Sequence, residues 1–283
     1  MSHRIELERH RHKLGEIHDI MDSMKILAYM ETRKLSRFMK AQHELVENIE
    51  SMAIDFLHFY PEVLPPVKTT VNIFLIIGSE RGFCGEFNES FIEHLQLVLQ
   101  EQQNEEIILI AVGQKLQNHI EKLPYKVFYV EGANVAEEAS ITVEKIAQTL
   151  SSNKQSLFSL YVLHHSSEDN GIVSEKLLPP SFSTSVDTKH IFTHPPLLNL
   201  EPDAFFLKLT EQYLFSTLHR IVYSSLMAEN QLRIQHLENA VDHLDDKMNE
   251  LTLKSNSLRQ EEIIEEIEVI LLNSSVKEEF KSH

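Results

Sequence analysis

The chain has 283 residues, of which 42% are hydrophobic, with 7 glycines and no tryptophan. Its formal net charge of −17 argues against a nucleic-acid surface, which needs clustered lysines and arginines. The one cysteine, Cys84, excludes an intramolecular disulfide and suits a reducing compartment. The charged start predicts no secretory signal, and no apolar run reaches the ~18 residues of a membrane span.

The first 60 residues predict one long helix. They contain no proline and one glycine, Gly15, so nothing ends the helix before Pro61. A seam of residues spaced alternately three and four apart, as in a coiled coil, is broken only at Glu31 and Gln42. About 55 helical residues span about 80 Å, a length that needs a partner alongside. The predicted seam consists of Leu14, Ile17, Met21, Met24, Ala28, Glu31, Leu35, Phe38, Gln42, Leu45, Ile49, Met52 and Phe56.

The middle of the chain, from Pro61 to about residue 200, predicts an α/β domain of ~130 residues. Pro61, Pro65 and Pro66 mark its start. Strands that alternate with helices indicate a Rossmann-like layer with a largely parallel sheet. An edge strand is expected at 171–178, and the polar stretch 181–196 includes a possible strand at 190–193. The other predicted strands are 71–77, 107–112, 126–130 and 157–163, with helices at 87–103, 114–123 and 135–150.

A second long helix is predicted from Pro202, because no proline or glycine follows. Residues 205–226 carry large apolar side chains on more than one face, so we expect them to pack on the α/β domain. A heptad seam comes next and shifts phase before Ile263. About 70 helical residues span about 105 Å. This seam consists of Ile234, Leu237, Val241, Leu244, Met248, Leu251, Ser255 and Leu258.

The two seams lie at opposite ends of the sequence, with a compact domain between them. This arrangement predicts a long antiparallel two-helix coiled coil, formed by the N- and C-terminal helices, on the central α/β domain. The predicted segments are 1–60, 61–200 and 201–283. Two alternatives remain open: separate helices folded over the domain, or parallel coiled coils in a homodimer.

Short blocks in both helices and in the loop after the first strand match the motifs of one family, in order along the whole chain. They are Ile20–Ala28 with Arg33-Lys34, Gly78–Asn88, Glu201-Pro202-Asp203, the run Glu229, Arg233, Ala240 and Asp242, and Leu258–Gln260 with Ile263. On these blocks the sequence resembles the gamma subunit of F-type ATP synthases. Its opening residues and Phe59–Glu62 are more similar to the gamma subunits of alternative, N-type ATPases, which often transport sodium.

The resemblance implies a non-catalytic central-stalk rotor subunit, which couples ion flow through a membrane c-ring to ATP synthesis or hydrolysis in a hexamer of alpha and beta subunits. The α/β domain would stand on the c-ring and bind the epsilon subunit, with His190–Leu200 as the candidate contact. The complex would lie on the cytoplasmic side of a bacterial inner membrane. The residues implied to face the alpha/beta ring are Met24, Lys25, Arg33, Lys34, Arg259 and Gln260. The loop residues implied to be structural are Arg81, Gly82, Cys84 and Gly85.

The chain departs from the family pattern at single positions. Glu31 stands where the family has a lysine, and Ile264 where it has a threonine. Glu261 and Glu262 replace small residues, and a charged tail, Lys277–His283, follows the usual end. These departures affect individual ring contacts and leave the architecture unchanged.

Other functions are weighed on the same residues. The loop 78–85 follows a strand and precedes a helix, but it lacks both phosphate-loop motifs, so we expect no nucleotide there. The histidine pairs 10/12 and 164/165 lack metal-ligand spacing, so we expect neither a metal nor a cofactor. The acidic run 261–268 is read as a solvated helix face or as a contact with basic groups of a ring. The rival functions are an enzyme that uses the α/β domain and a free coiled-coil adaptor.

Overall fold

The computed structural model describes residues 2–64, 71–100, 106–152, 158–167, 171–182 and 194–279. Pro65, Pro66 and the predicted strand at 190–193 lie outside these residues. The chain divides into two compact units, Met1–Leu27 with Gln235–His283, and Ala28–Ile234. In chain order the elements are α1 (Ser2–Phe59), β1 (Val71–Ile77), α2 (Glu89–Gln100), β2 (Glu106–Val112), α3 (Gln114–Ile120), β3 (Lys126–Val130), α4 (Ala139–Ser152), β4 (Phe158–Ser166), β5 (Gly171–Leu178) and α5 (Pro202–Glu279), with 3-10 turns at Pro61–Val63 and Ala136–Glu138.

The first unit is a pair of antiparallel helices, the start of α1 against the C-terminal part of α5. Arg4 Nε donates to Glu262 Oε2 at 3.0 Å, and His18 Nε2 lies 3.4 Å from Asp245 Oδ1. Later residues of α1 therefore contact earlier residues of α5, so the two helices are antiparallel. The predicted α5 seam is confirmed, since all its residues in this unit are buried or half-buried. The antiparallel coiled coil is therefore present, and the pairing is within one chain.

In the second unit α1 and α5 also run antiparallel. The ring of Phe56 lies 4.9 Å from that of Phe205, while Gln42, further back along α1, contacts Ser216, further on along α5. A small apolar cluster joins the two helices between these points, because side chains from both are excluded from water. Its buried members are Val46, Ile49, Ala53, Leu209 and Tyr213.

The seam of α1 differs from the predicted one at Ile17 and, from Phe38 onward, at every second position. The predicted members Phe38, Leu45 and Met52 are 42–52% exposed, whereas Val46 and Ala53 are buried. From Leu35 onward the buried or half-buried residues follow one another at steps of four and then three residues, whereas steps of three and then four were predicted. Both patterns share one heptad position, occupied in turn by Ala28, Leu35, Gln42, Ile49 and Phe56, and that half of the prediction is correct.

The sheet has five strands in the order β3-β2-β1-β4-β5. The first four are parallel, and β5 pairs antiparallel with β4 at the edge, as predicted. Strand β4 runs to Ser166, three residues further than predicted, and so includes His164 and His165. Every residue of β1 is buried, because helices cover both faces of the central strands.

Alternate residues of the central strands point into two different apolar clusters. One cluster packs the sheet against α4, the first half of α5 and Leu35 of α1. The other packs the opposite face against α2 and α3. On the first face, Ser225 of α5 donates from Oγ to Ile77 O at 3.1 Å, at the end of β1. Helix α5 therefore lies next to the carboxyl end of β1, where the loop 78–88 begins.

Candidate functional site

The loop 78–88 is held closed by its own polar groups. Ser79 N donates to Asn88 Oδ1 at 3.0 Å, and Asn88 Nδ2 donates to Ser79 Oγ at 2.8 Å. Cys84 Sγ donates to the same hydroxyl at 3.4 Å. All three side chains are buried, so these bonds form with little competition from water. The loop is therefore a fixed structure between β1 and α2.

Cys84 packs in the apolar cluster formed with α2 and α3. Burial raises the pKa of its thiol, since the thiolate loses more hydration than the neutral group. The thiol therefore stays protonated near neutral pH, whereas a nucleophilic cysteine needs its thiolate. This position fits a packing role for the side chain.

Arg233 of α5 ties this loop to the helix, in an arrangement that we call the Arg233 clasp: Arg233, Glu229 and the main-chain carbonyls of Arg81 and Gly82. Arg233 Nε donates to Gly82 O at 3.1 Å and Nη2 to Arg81 O at 3.4 Å. The guanidinium also pairs with the Glu229 carboxylate one turn earlier. Both charged side chains are buried, and burial raises the pKa of Glu229 although Arg233 opposes the rise. The Arg233 clasp thus places a buried ion pair between α5 and the loop.

The turns after β1, β2 and β3 meet around one carboxylate. Glu80 Oε2 accepts from Gly132 N at 2.8 Å and from Gln114 N at 3.0 Å. Gly113 has φ +100°, and a Cβ there would lie 2.7 Å from Gly78 O. Only glycine fits such a backbone in such a space. Gly85 has φ +60° in open surroundings, so conformation alone favours glycine there.

The arrangement around Glu80 also concerns the hypothesis that the loop 78–85 binds a nucleotide. In open α/β sheets, ligands bind at the carboxyl ends of the strands, often at the start of a helix. Here the start of α3 is capped by Glu80, and Leu116 lies against Gly78. Among the described residues, no group of three or more His, Cys, Asp and Glu side chains is placed to hold a metal ion. A carboxylate of the chain itself therefore takes the position of an anion at the start of α3.

Comparison with known proteins decides the family. A sequence model described as ATP synthase matches residues 4–272. An ATP synthase gamma chain of Clostridium botulinum strain Loch Maree is 24% identical over 275 residues, which are 94% of this chain and 95% of that one. This chain belongs to the ATP synthase gamma-chain family. The gamma chain of strain Hall is 28% identical over 204 residues, 70% of each chain.

Solved structures share the fold of this gamma chain. One match is a chain in a structure of OSCP, F1 and c-ring from the Euglena gracilis mitochondrial ATP synthase. Its TM-score is 0.66 at 15% identity, and the match covers 100% of this chain and 97% of that one. A chain from the central stalk and c-ring of the Tetrahymena thermophila enzyme has a TM-score of 0.55 at 18% identity, over 78% of this chain and 99% of its own. As a member of this family, the protein is a gamma subunit of an ATP synthase.

Four of the predicted ring contacts of the gamma chain lie in the first unit. Arg259 and Gln260 are exposed on α5. On α1, Met24 and Lys25 are half-buried, and Lys25 Nζ pairs with Asp22 at 2.9 Å. The side chains on α5 are therefore directly accessible to another subunit, and those on α1 are accessible in part.

The other two predicted ring contacts, Arg33 and Lys34, lie in the second unit. Arg33 is exposed, whereas Lys34 Nζ lies 2.7 Å from Glu31 and 2.9 Å from Glu137. The hydrogen bonds to Glu31 and Glu137 raise the pKa of Lys34. Lys34 thus connects α1 to the α/β domain of its own chain.

Sequence reasoning missed a second charged cluster in the second unit. Glu175 of β5 accepts from His164 Nε2 at 3.1 Å and from Arg220 Nη2 at 2.5 Å. Burial opposes ionisation of this carboxyl, but His164 and Arg220 together lower its pKa to about 2. The cluster borders an open cleft of about 670 Å³ between α1, α5 and the sheet edge. The adjacent histidines were a local signal, but their carboxylate partner lies on the neighbouring strand β5 and Arg220 on α5.

Proposed function

We propose that this gamma chain is an asymmetric shaft that turns inside a ring of alpha and beta subunits and alters the three catalytic sites in turn. In this proposal segments 1–60 and 201–283 form the shaft and segment 61–200 the base. An asymmetric shaft contacts each surrounding subunit differently, so its angle is linked to nucleotide affinity at sites that it does not touch. Ion flow through a membrane c-ring supplies or receives the torque.

The observation that carries this proposal is an apolar surface at the end of α5 in the first unit. The last described ion pair between α5 and α1 is Arg4–Glu262. Between Ile263 and Leu271 the large apolar side chains of α5 are 45–66% exposed. Exposed apolar clusters of this kind mark protein–protein contacts, here with the inner wall of the ring. They are Ile263, Ile264, Ile267, Val269, Ile270 and Leu271.

The intrachain pairing favours the rotor over a coiled-coil adaptor. In the first unit the α5 seam is already covered by α1 of the same chain. A homodimer that paired through this seam would have to displace α1. The exposed apolar end of α5 is a surface that another protein can bind, which is the property a central shaft needs.

The base supplies the second set of contacts in this proposal. It stands on the c-ring and binds the epsilon subunit through residues 190–200, of which 194–200 are described. Leu197 is fully exposed and Leu200 is 52% exposed, and apolar side chains in that state favour a partner surface. The complex lies at the cytoplasmic face of a bacterial membrane. Among the described residues, the chain itself has no helix long and apolar enough to cross that membrane.

The decisive experiment is co-expression of this chain with the alpha and beta subunits of its own organism. Native mass spectrometry should find one copy per complex of three alpha and three beta subunits. A stable homodimer, or a hexamer that forms without this chain bound, contradicts the rotor assignment.

Arg259 and Gln260 are proposed to hydrogen-bond to loops of a beta subunit. The double variant Arg259→Ala with Gln260→Ala should weaken coupling in a reconstituted complex, seen as less ion transport per ATP hydrolysed, while helicity stays the same. Lys254→Ala, an exposed lysine on the same helix, is the matched control. Unchanged coupling in the double variant argues against this contact.

A further inference from the structure

The two polar residues of the predicted α1 seam both lie in the second unit. Glu31 and Gln42 are half-buried, with the buried residues Ala28, Leu35 and Val46 before, between and after them. A polar side chain in a coiled-coil seam weakens apolar packing but has directional bonds, so it selects one register. Each of the two has a defined partner in the same unit.

Gln42 bonds to the main chain of α5. Its Nε2 donates to Ser216 O at 2.8 Å. Ser216 is buried, so the bond is shielded from water. A carbonyl oxygen has two lone pairs and can accept this bond besides its helical one. The contact therefore identifies one position along α5, whereas apolar seam contacts do not.

Glu31 bonds to the α/β domain instead. Its Oε2 accepts from Ala136 N at 3.3 Å, at the start of the 3-10 turn before α4, and Lys34 Nζ lies 2.7 Å from its Oε1. Lys34 in turn reaches Glu137 in the same turn at 2.9 Å. A carboxylate is favoured at the start of a helical turn, where main-chain N–H groups point outward. Glu31 and Lys34 thus contact adjacent residues of one turn.

We propose that Glu31 and Gln42 are positioning residues that fix α1 both along its axis and about it. They stand eleven residues apart, about 16 Å along the helix, and bond to two different elements. Two directional contacts at separate points oppose sliding and rotation together, which an apolar seam resists less specifically. The consequence for torque transmission rests on the proposed rotor function, whereas the positioning itself is a property of the chain.

Distances between spin labels on the full-length chain test the positioning. Labels at Arg37→Cys on α1 and Leu207→Cys on α5 occupy exposed positions of the second unit, on the order of 25 Å apart along the helices. Cys84 is buried, and a chain without added cysteines shows whether it remains unlabelled. The otherwise unchanged chain should give one narrow distance distribution by double electron–electron resonance.

The Gln42→Leu variant makes this seam position apolar and removes the bond to Ser216. We expect the distance distribution to widen about twofold without a lower melting temperature. Gln42→Lys, which retains a donor, should restore the narrow distribution, and Ser36→Leu, an exposed position outside the seam, should leave it unchanged. Glu31→Leu should widen it independently. A narrow distribution in both Leu variants overturns the proposal, as does a lower melting temperature with a single unchanged distance.

Coupling is measured on the same variants after assembly with alpha and beta subunits and the membrane sector. Ions transported per ATP hydrolysed should fall at least twofold in Gln42→Leu while ATP hydrolysis continues. A widened distribution with unchanged coupling overturns the link to torque. If the unchanged chain does not assemble at all, the rotor function fails, and the distance measurements still decide the positioning.

Discussion

Removal of Arg233 should destabilise the gamma chain more than removal of any exposed arginine. Arg233→Ala leaves the Glu229 carboxylate buried without its partner and takes donors from the carbonyls of Arg81 and Gly82. Loss of one member of a buried ion pair costs about 3–5 kcal/mol, because the remaining charge stays out of water. We expect the free energy of unfolding to fall by this amount at neutral pH.

Denaturant unfolding followed by circular dichroism measures the effect. Arg259→Ala, exposed on the same helix, is the matched control and should change stability by less than ~0.5 kcal/mol. The double variant Glu229→Leu with Arg233→Leu should lose less than Arg233→Ala, because it leaves no buried charge. The reasoning is refuted if Arg233→Ala costs less than ~1 kcal/mol, or if the double variant costs more than the single one.

The pH dependence of Arg233→Ala gives an independent check. Burial raises the folded-state pKa of Glu229 above its unfolded value, and loss of Arg233 removes the charge that opposes the rise. A raised carboxyl pKa gives stability that is complete below the unfolded pKa and is lost as pH rises through the folded one. The deficit of the variant should therefore be small near pH 4 and grow toward pH 7. An equal deficit at both pH values contradicts a role for the Glu229 charge.

Two further predictions concern the second unit. The pKa of Glu175 is lowered from 4.5 to about 2, so its contribution is present above pH 4.5 and is lost as pH falls toward 2. Glu175→Gln should lower the free energy of unfolding by roughly 2–3 kcal/mol at pH 7. Melting temperatures measured between pH 5 and 2 should then fall less steeply in the variant than in the unchanged chain. An equally steep fall argues against a role for the Glu175 charge. Gly113→Ala should cost more than ~2 kcal/mol, because a left-handed φ combines with backbone contact. Gly82→Ala, with only Lys115 Cε within 4.0 Å, should cost less than ~0.5 kcal/mol, and equal losses at both glycines contradict the argument.

The sequence was sufficient for the elements and for the α5 seam. Strands β1, β3 and β5 have the predicted bounds, because each is a short apolar or alternating run between glycine, proline or polar turns. The α5 seam is unambiguous since its flanking positions, Ala240 excepted, are charged or polar, as in Asp242 and His243 before Leu244. Only one assignment of heptad positions then places apolar residues along the seam.

On α1 the local pattern was ambiguous. Leu45 precedes Val46 and Met52 precedes Ala53, so two adjacent apolar residues compete for each seam position. Size favoured the first of each pair, but Val46 and Ala53 are the buried ones. A small residue lets two helices approach closely, so the packing of α5 and not hydrophobicity decides the phase.

Contacts distant in sequence were beyond local reasoning. A glutamate and an arginine four residues apart normally form an exposed pair on a helix surface. Glu229 and Arg233 have this spacing but are buried, because the loop 78–88 covers them across 151 residues of sequence. Their motif positions were visible through the family resemblance, but the contact with Gly82 depends on the sheet topology.

Glu31 lies in the ambiguous seam of α1 and also makes a contact that is distant in sequence. From the sequence, a glutamate in an apolar seam predicts weaker helix packing. Its replacement of the family lysine predicts the loss of a contact with the ring. In the structure the carboxylate accepts from Ala136 N and pairs with Lys34, which also reaches Glu137. A lysine at position 31 would stand one turn from Lys34 and offer no acceptor to Ala136 N. The reversed charge therefore has a role within this chain, since the residue that interrupts the predicted seam attaches α1 to the α/β domain.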